Sequence, residues 1–187
     1  MSFAPALCNR IDRNTGGIVI AAKSAEALRI MNEKIKEREI DKYYLAAVHG
    51  APSPRENTLY GYLIKDEKTN KVRVFDKNPG RGAKNIITKY RVIATRAETS
   101  LLEVELLTGR THQIRAHMAH IGHPLVGDGK YGVNKKDREL GFKHQALYSY
   151  KLRFSFKSDA GILAYLDGRE FAIPKNEIYF ANKYFER

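Results

Sequence analysis

What most constrains the fold of this chain is its many short β-branched and aromatic runs, each closed off by glycine, proline or Asx turns, against three stretches with a helical repeat. Runs of this length pair as strands, because branched and aromatic side chains pack well on a pleated surface. Segments 17–23, 41–50, 58–65, 71–76, 84–96, 100–107 and 144–156 read as strands, the first of them buried, with 84–96 and 100–107 forming a hairpin through 97–99. Another hairpin is expected within 161–173, turning at Asp167-Gly168. Ser24 is placed to cap a helix over 25–39, where Ala27, Leu28, Met31 and Ile35 recur at helical spacing and the charges fall on the other face. A second helix is expected over 111–121, stopped by Gly122, and a third over 175–187. Strands outnumber helices and do not alternate with them regularly. The expected fold is therefore α+β, with a mixed, mostly antiparallel central sheet and a few packed helices.

Charge narrows the partners. Lys and Arg number 33 against 21 Asp and Glu, a net charge of +12. A surface this basic attracts polyanions, since each neutralised phosphate releases a condensed counterion. RNA or DNA is the leading partner class and an anionic membrane surface the second. Cys8 is the single cysteine, so no intrachain disulfide can form, which fits a reducing compartment. No apolar run approaches the roughly 20 residues of a membrane-spanning helix, and segment 1–7 lacks the basic head and long apolar stretch of a signal peptide. A soluble, cytoplasmic protein is expected, with monomer as the default. No repeat, low-complexity tract or linker divides the sequence, so residues 1–187 are read as one domain.

Two segments carry chemistry. In Asn9–Gly17 (NRIDRNTGG), Asp12 lies between Arg10 and Arg13, whose charges would favour its ionised form. The glycine pair beside it permits close backbone approach at a sheet edge. Such a carboxylate is either a nucleophile or an ordinary Asp turn with solvated arginines. In Leu107–Gly132 (LTGRTHQIRAHMAHIGHPLVGDGKYG), Arg110, His112, Gln113, Arg115 and His117 lie on or beside one helix, and Thr111 and Arg115 share a face. That face suits a phosphate or a carboxylate. His112, His117, His120 and His123 also raise a metal site, but the spacing matches no zinc signature, and no metal is expected. The glycine-bearing basic loop 77–84 is too isolated to cradle a nucleotide and reads as a flexible RNA-touching or solvated loop.

Together these motifs resemble the RluA-type pseudouridine synthases from about Asn9 to about Pro174. The resemblance rests on Arg10-Ile11-Asp12 followed by Thr15-Gly16-Gly17, on Lys42 and Tyr44 in KYYLAAVHG, and on TGRTHQIR leading to GHPLVGDGKYG. It implies an RNA-modifying isomerase that converts uridine to pseudouridine without a cofactor. Asp12 would then match the catalytic aspartate, Tyr44 the tyrosine packed against the target base, and Arg115 the arginine that pairs with the aspartate and keeps it charged. Arg10 would match the arginine that holds the extruded nucleotide. Arg13, Lys42, Arg110 and His112 complete the expected substrate-binding set. Tyr43 competes for the tyrosine role, but strand alternation sends it to the opposite face from Tyr44. Large-subunit ribosomal RNA is the expected substrate, with transfer RNA as the other class.

Two departures stand out: Asn9 where the family usually has His, and Ile11 where it has Leu. Family catalytic domains also begin with a strand-rich segment ahead of the aspartate, and many carry a small RNA-binding module. With Asp12 so near the start, the chain is expected to lack an amino-terminal segment. The competing reading is a non-catalytic RNA-binding protein that keeps the fold.

Overall fold

The computed structural model describes residues 3–133 and 135–185. Elements follow in the order β1 (Ala6–Leu7), β2 (Gly16–Gly17), β3 (Ala21–Ala22), α1 (Ala25–Lys36), β4 (Ile40–His49), β5 (Glu56–Asp66), β6 (Lys71–Phe75), β7 (Lys84–Arg96), β8 (Thr99–Leu106), α2 (Gln113–His120), α3 (Lys135–Glu139), β9 (Leu147–Phe154) and β10 (Glu170–Ala172). The main sheet runs β10-β9-β4-β8-β7-β5-β6, with every neighbouring pair antiparallel. β2 joins it in parallel beside Tyr148 and Ser149 of β9. This is the mixed, mostly antiparallel sheet expected.

β4 lies centrally, and Tyr44 to Val48 are all buried, because both faces of the sheet are covered. One face packs Tyr44, Ala46, Val48, Leu102 and Val104 against Ile114 and Met118 of α2. The other packs Leu45, Ala47, Leu101 and Tyr150 against Ile178, Phe180 and Tyr184 near the carboxyl end. Register slips between β4 and β9 at Tyr43/Tyr44, whose partners are Lys151 and Ser149, leaving Tyr150 as the extra residue. Bulges of this kind bend a strand and re-aim its side chains. Tyr44 faces the α2 side, while Tyr43 packs on the opposite face under the Lys151 ammonium, as alternation requires.

The 25–39 helix forms as α1, capped by Ser24, whose hydroxyl accepts from the Ala27 amide at 3.2 Å. Its buried positions are Ile30, Met31 and Lys34 rather than a purely apolar stripe. Lys34 carries its charge inward, donating to Glu39 Oε2 (2.8 Å) and to the carbonyl (2.7 Å) and hydroxyl (2.6 Å) of Ser158.

Three expectations need correction. Segment 17–23 is not one buried strand. Gly17, at φ +122, turns the chain off β9, and Ala21–Ala22 then pairs with Ala6–Leu7. Segment 161–173 is no hairpin: Gly161–Leu166 winds as a 3-10 helix, and β10 pairs with β9. Segment 175–187 is no α-helix either, since Lys175–Glu177 and Asn182–Tyr184 are separate 3-10 turns and residues 186–187 lie outside the described residues. Pro174 opens the first of these turns, and between them Ile178 and Phe180 are buried against the sheet while the Ala181 amide closes a turn onto the Ile178 carbonyl at 2.7 Å. No helix of the described residues is long and apolar enough to cross a membrane.

Candidate active site

Asp12 sits on a loop pinned from three sides. Asn9 Oδ1 accepts from the Ile20 amide (2.7 Å), and the Thr15 amide donates to the Asp12 carbonyl (3.0 Å). Gln145 Nε2 donates to the Arg13 carbonyl (2.7 Å) and to Thr15 Oγ1 (3.2 Å). The two glycines are required by proximity. A Cβ on Gly16 would fall 2.5 Å from the Tyr148 ring, and one on Gly17 would fall 2.2 Å from the Ser149 carbonyl oxygen. A loop so anchored holds its carboxylate in one place, as a reacting group requires.

Across from this loop, α2 supplies Arg115. Its side chain is buried, and its Nη1 stands 3.6 Å from Asp12 Oδ2. The stronger grip on Arg115 comes from Asp128, with Nε to Oδ2 at 2.7 Å and Nη2 to Oδ1 at 2.9 Å. Such two-point pairing fixes the guanidinium plane as well as its charge. Burial alone would lower the Arg115 pKa; Asp128, with Asp12 behind it, more than reverses this and raises it. Burial would likewise raise Asp128, but Arg115 and the amides of Lys130 and Tyr131 hold it below the ordinary carboxylate range. Tyr131 lies 5.2 Å from the Arg115 guanidinium, and its hydroxyl hydrogen-bonds His112 Nδ1 at 2.8 Å.

Between the loop, β4 and the start of α2 opens a cleft of about 290 Å³. Asp12, Arg10, Lys42, Tyr44, Arg110 and His112 line it, so six of the eight expected site residues meet there. Arg115 reaches Asp12 from α2. Arg13 is exposed and does not line the cleft. Of the two supports expected for Asp12, its sequence neighbours Arg10 and Arg13 are both exposed and make no ion pair with it among the described residues, whereas Arg115, the partner the resemblance implied, does. Inside the cleft, burial lowers the Lys42 pKa. Burial, together with the nearby Asp12 charge, raises the Tyr44 phenol. His112 is lowered by burial and by the charges of Arg115 and Lys130, against the pull of Asp12 and Asp128. The cleft thus gathers one carboxylate, several cationic groups and a neutral phenol over an apolar floor of Leu106, Ile114 and Leu147.

The other residues singled out take supporting places. Gln113 ties α2 to β7, donating to the Ile87 carbonyl and Thr88 Oγ1 and accepting from Thr108 Oγ1 and the Arg110 amide. The remaining histidines go to separate partners: His117 to Thr88, His120 to Asp76, and His123 to the His49 carbonyl. Among the described residues no group of three or more His, Cys, Asp or Glu could hold a metal ion.

The motifs do not single out Asp128 and Tyr131 as individual residues, although a signal is there. Asp128 is the sole carboxylate between Leu107 and Gly132. An arginine on the buried face of a helix needs such a partner, because an uncompensated buried charge is costly.

The family described as RNA pseudouridylate synthase matches residues 2–120. The chain belongs to this family. It is 35% identical over 151 residues to the ribosomal large subunit pseudouridine synthase C of Vibrio cholerae, covering 79% of this chain and 46% of that protein. It is 36% identical over 158 residues to the ribosomal large subunit pseudouridine synthase D of Zymomonas mobilis, covering 80% of this chain and 48% of that one. The chain therefore spans about half the length of the curated relatives it matches. The solved structure of human RNA pseudouridylate synthase domain containing 1 superposes with a TM-score of 0.76 at 24% identity, over 92% of this chain and 70% of that one. At that identity the likeness shows the shared pseudouridylate synthase fold.

Proposed function

We propose that this chain is a catalytic portion of an RNA pseudouridine synthase that isomerises uridines in ribosomal RNA of the large subunit, with transfer RNA the second candidate substrate. The observation that carries this reading is the Asp12 carboxylate 3.6 Å from the Arg115 guanidinium at a cleft lined by Tyr44. The reaction breaks the bond from the ribose to the base nitrogen and remakes it to a ring carbon of the same base; that carbon gives up its proton and the freed nitrogen takes one up, so the product is an isomer of the substrate. Nothing is oxidised and no group is acquired, so the chemistry calls for no cofactor. A carboxylate can engage the sugar or base covalently or stabilise an electron-poor sugar. Tyr44, neutral and packed on β4, offers a ring for the base to lie against. Arg10, Lys42, Arg110 and His112 surround the same space with donors for ribose and phosphate oxygens. Arg13, on the exposed flank, is suited to the neighbouring strand.

Reaching this cleft requires the target nucleotide to leave its stack, at a cost of a few kcal/mol. The net charge of +12 offsets part of that cost by holding the phosphates. The exposed Lys77, Arg81 and Lys84 of the basic loop add to the surface. The reading places the working enzyme in the cytoplasm, as a single chain.

The test is conversion of uridines in a large-subunit ribosomal RNA transcript, read by nucleoside chromatography, with Asp12→Asn beside wild type. Wild type is expected to convert, and the variant to bind RNA without converting it. Equal, negligible conversion by both would overturn the reading.

A further inference from the structure

The loop that carries Asp12 has a second side. Thr15 lines the uridine cleft on one flank and, on the other, a shallow groove of about 490 Å³ bounded by Asn14, Gly16, Phe142, Lys143, His144 and Tyr179. We propose that this groove is a second nucleotide subsite, which takes the base and phosphate of a single-stranded RNA residue flanking the flipped uridine. The inference rests on the isomerase reading for the identity of the RNA, but not for the chemistry of the groove.

Its size lies within the range of ligand pockets, about 300–1,000 Å³. Its walls combine the two elements that hold single strands, an aromatic platform and cations that follow the backbone. Tyr179 is 60% exposed, yet its ring is braced edge-on at 5.0 Å by Phe180, which is 1% exposed and rooted in the core. A braced, open ring is a stacking surface with little conformational entropy left to lose. Lys143 and His144 are exposed, and no ion pair of the described residues uses either. Lys183 adds a second cation beside Lys143, 4.9 Å over the Phe142 ring. The exposed Arg13 stands in the sequence between Asp12, which lines the cleft, and Asn14, which lines the groove, so this stretch of the loop forms the crest that parts them. A strand crossing this crest would put one nucleotide on each side of it. The loop does not yield under such a strand, because Gln145 fastens it at Arg13 and Thr15.

The experiment uses the whole chain and a short fluorescein-labelled oligouridylate, read by fluorescence anisotropy. Tyr179→Ala should weaken binding about tenfold, the order expected for one lost stacked base, while Tyr179→Phe should bind like wild type. Lys143→Glu, on an exposed side chain that folding does not need, should weaken binding most at low salt. Substituting 4-thiouridine at successive positions should give crosslinks to Tyr179 or Phe142 from a neighbour of the target nucleotide, not from the target. Wild-type affinity in both Tyr179→Ala and Lys143→Glu, or crosslinks that avoid the groove, would overturn the subsite. A wild-type chain that shows the Tyr179 dependence yet converts no uridine would leave the subsite standing and sink the isomerase reading instead.

Discussion

Two ion pairs in this molecule are built for opposite ends. Lys34–Glu39 joins the end of α1 to the start of β4 at 2.8 Å, with side chains 1% and 5% exposed. Every polar atom there is engaged: Lys34 gives three hydrogen bonds, and Glu39 also accepts from the Lys157 amide and the Ser158 hydroxyl. Arg115–Asp12 is longer, at 3.6 Å, with Asp12 22% exposed to the cleft. The arginine is instead held at Nε and Nη2 by Asp128, which is buried. A closed pair stabilises, and has no capacity left for a substrate. In the open pair the cation is held from behind by Asp128, which leaves the Asp12 carboxylate facing the cleft, as its proposed role requires.

The difference predicts how each part fails. Asp12→Asn should reduce uridine conversion by roughly 10³-fold or more while the melting temperature stays near wild type. A large loss of stability there would mean that Asp12 is structural and would erase the contrast. Asp128→Asn should lower turnover by about 10²-fold, through misplacement of the guanidinium by an ångström or so. It should also lower the melting temperature, since a buried charge loses its partner. If only stability falls, with turnover per folded molecule unchanged, Asp128 has no part in positioning Arg115. Lys34→Met should reverse the pattern, lowering the melting temperature by roughly 10 °C with kcat of the folded protein retained.

The smallest effect is in pH. The Lys34 ammonium and the Lys157 amide hold Glu39 down from the ordinary 4.5 to about 2. Its contribution is thus whole above pH 4.5 and is lost as pH falls through about 2. His117, kept neutral by burial and by the neighbouring His120, is lowered from 6.5 to about 4. Its contribution is whole above pH 6.5 and fades first, as pH falls from there through about 4, because the unfolded chain takes up the proton earlier. Melting temperature against pH should therefore decline in two steps. His117→Gln should shrink the upper one, to which the lowered His112 also contributes, and Glu39→Gln should shrink the lower, which it shares with Glu103 and Asp128.

Much of the sheet was legible because its signals are local. Runs 41–50, 71–76 and 84–96 lie close to β4, β6 and β7, since alternation and β-branching act within a few residues. The carboxyl-terminal third misled the same logic. Segment 175–187 contains residues that favour a helix, but the sheet face needs Ile178, Phe180 and Tyr184 in its core, and separate 3-10 turns deliver them. Lys34 was equally opaque: its burial depends on Ser158, a partner 124 residues away.

At the site the division is similar. The order and spacing of motifs around Asp12, Tyr44 and Arg115 were enough, with no coordinates, to place the chain in its family and to name six residues that share one cleft. Chemistry of that kind is written in residue type and sequence spacing. The resemblance already named Arg115 as the partner of Asp12; folding alone decided that Arg13 faces away, that Arg10 and Arg13 leave this pairing to Arg115, and that Asp128 holds Arg115 in place. Those are facts of direction and distance that spacing does not fix, whether the partner lies 13 residues away, as Asp128 does from Arg115, or on a distant segment, and a charge pair acts over only a few ångströms once the chain has closed around it.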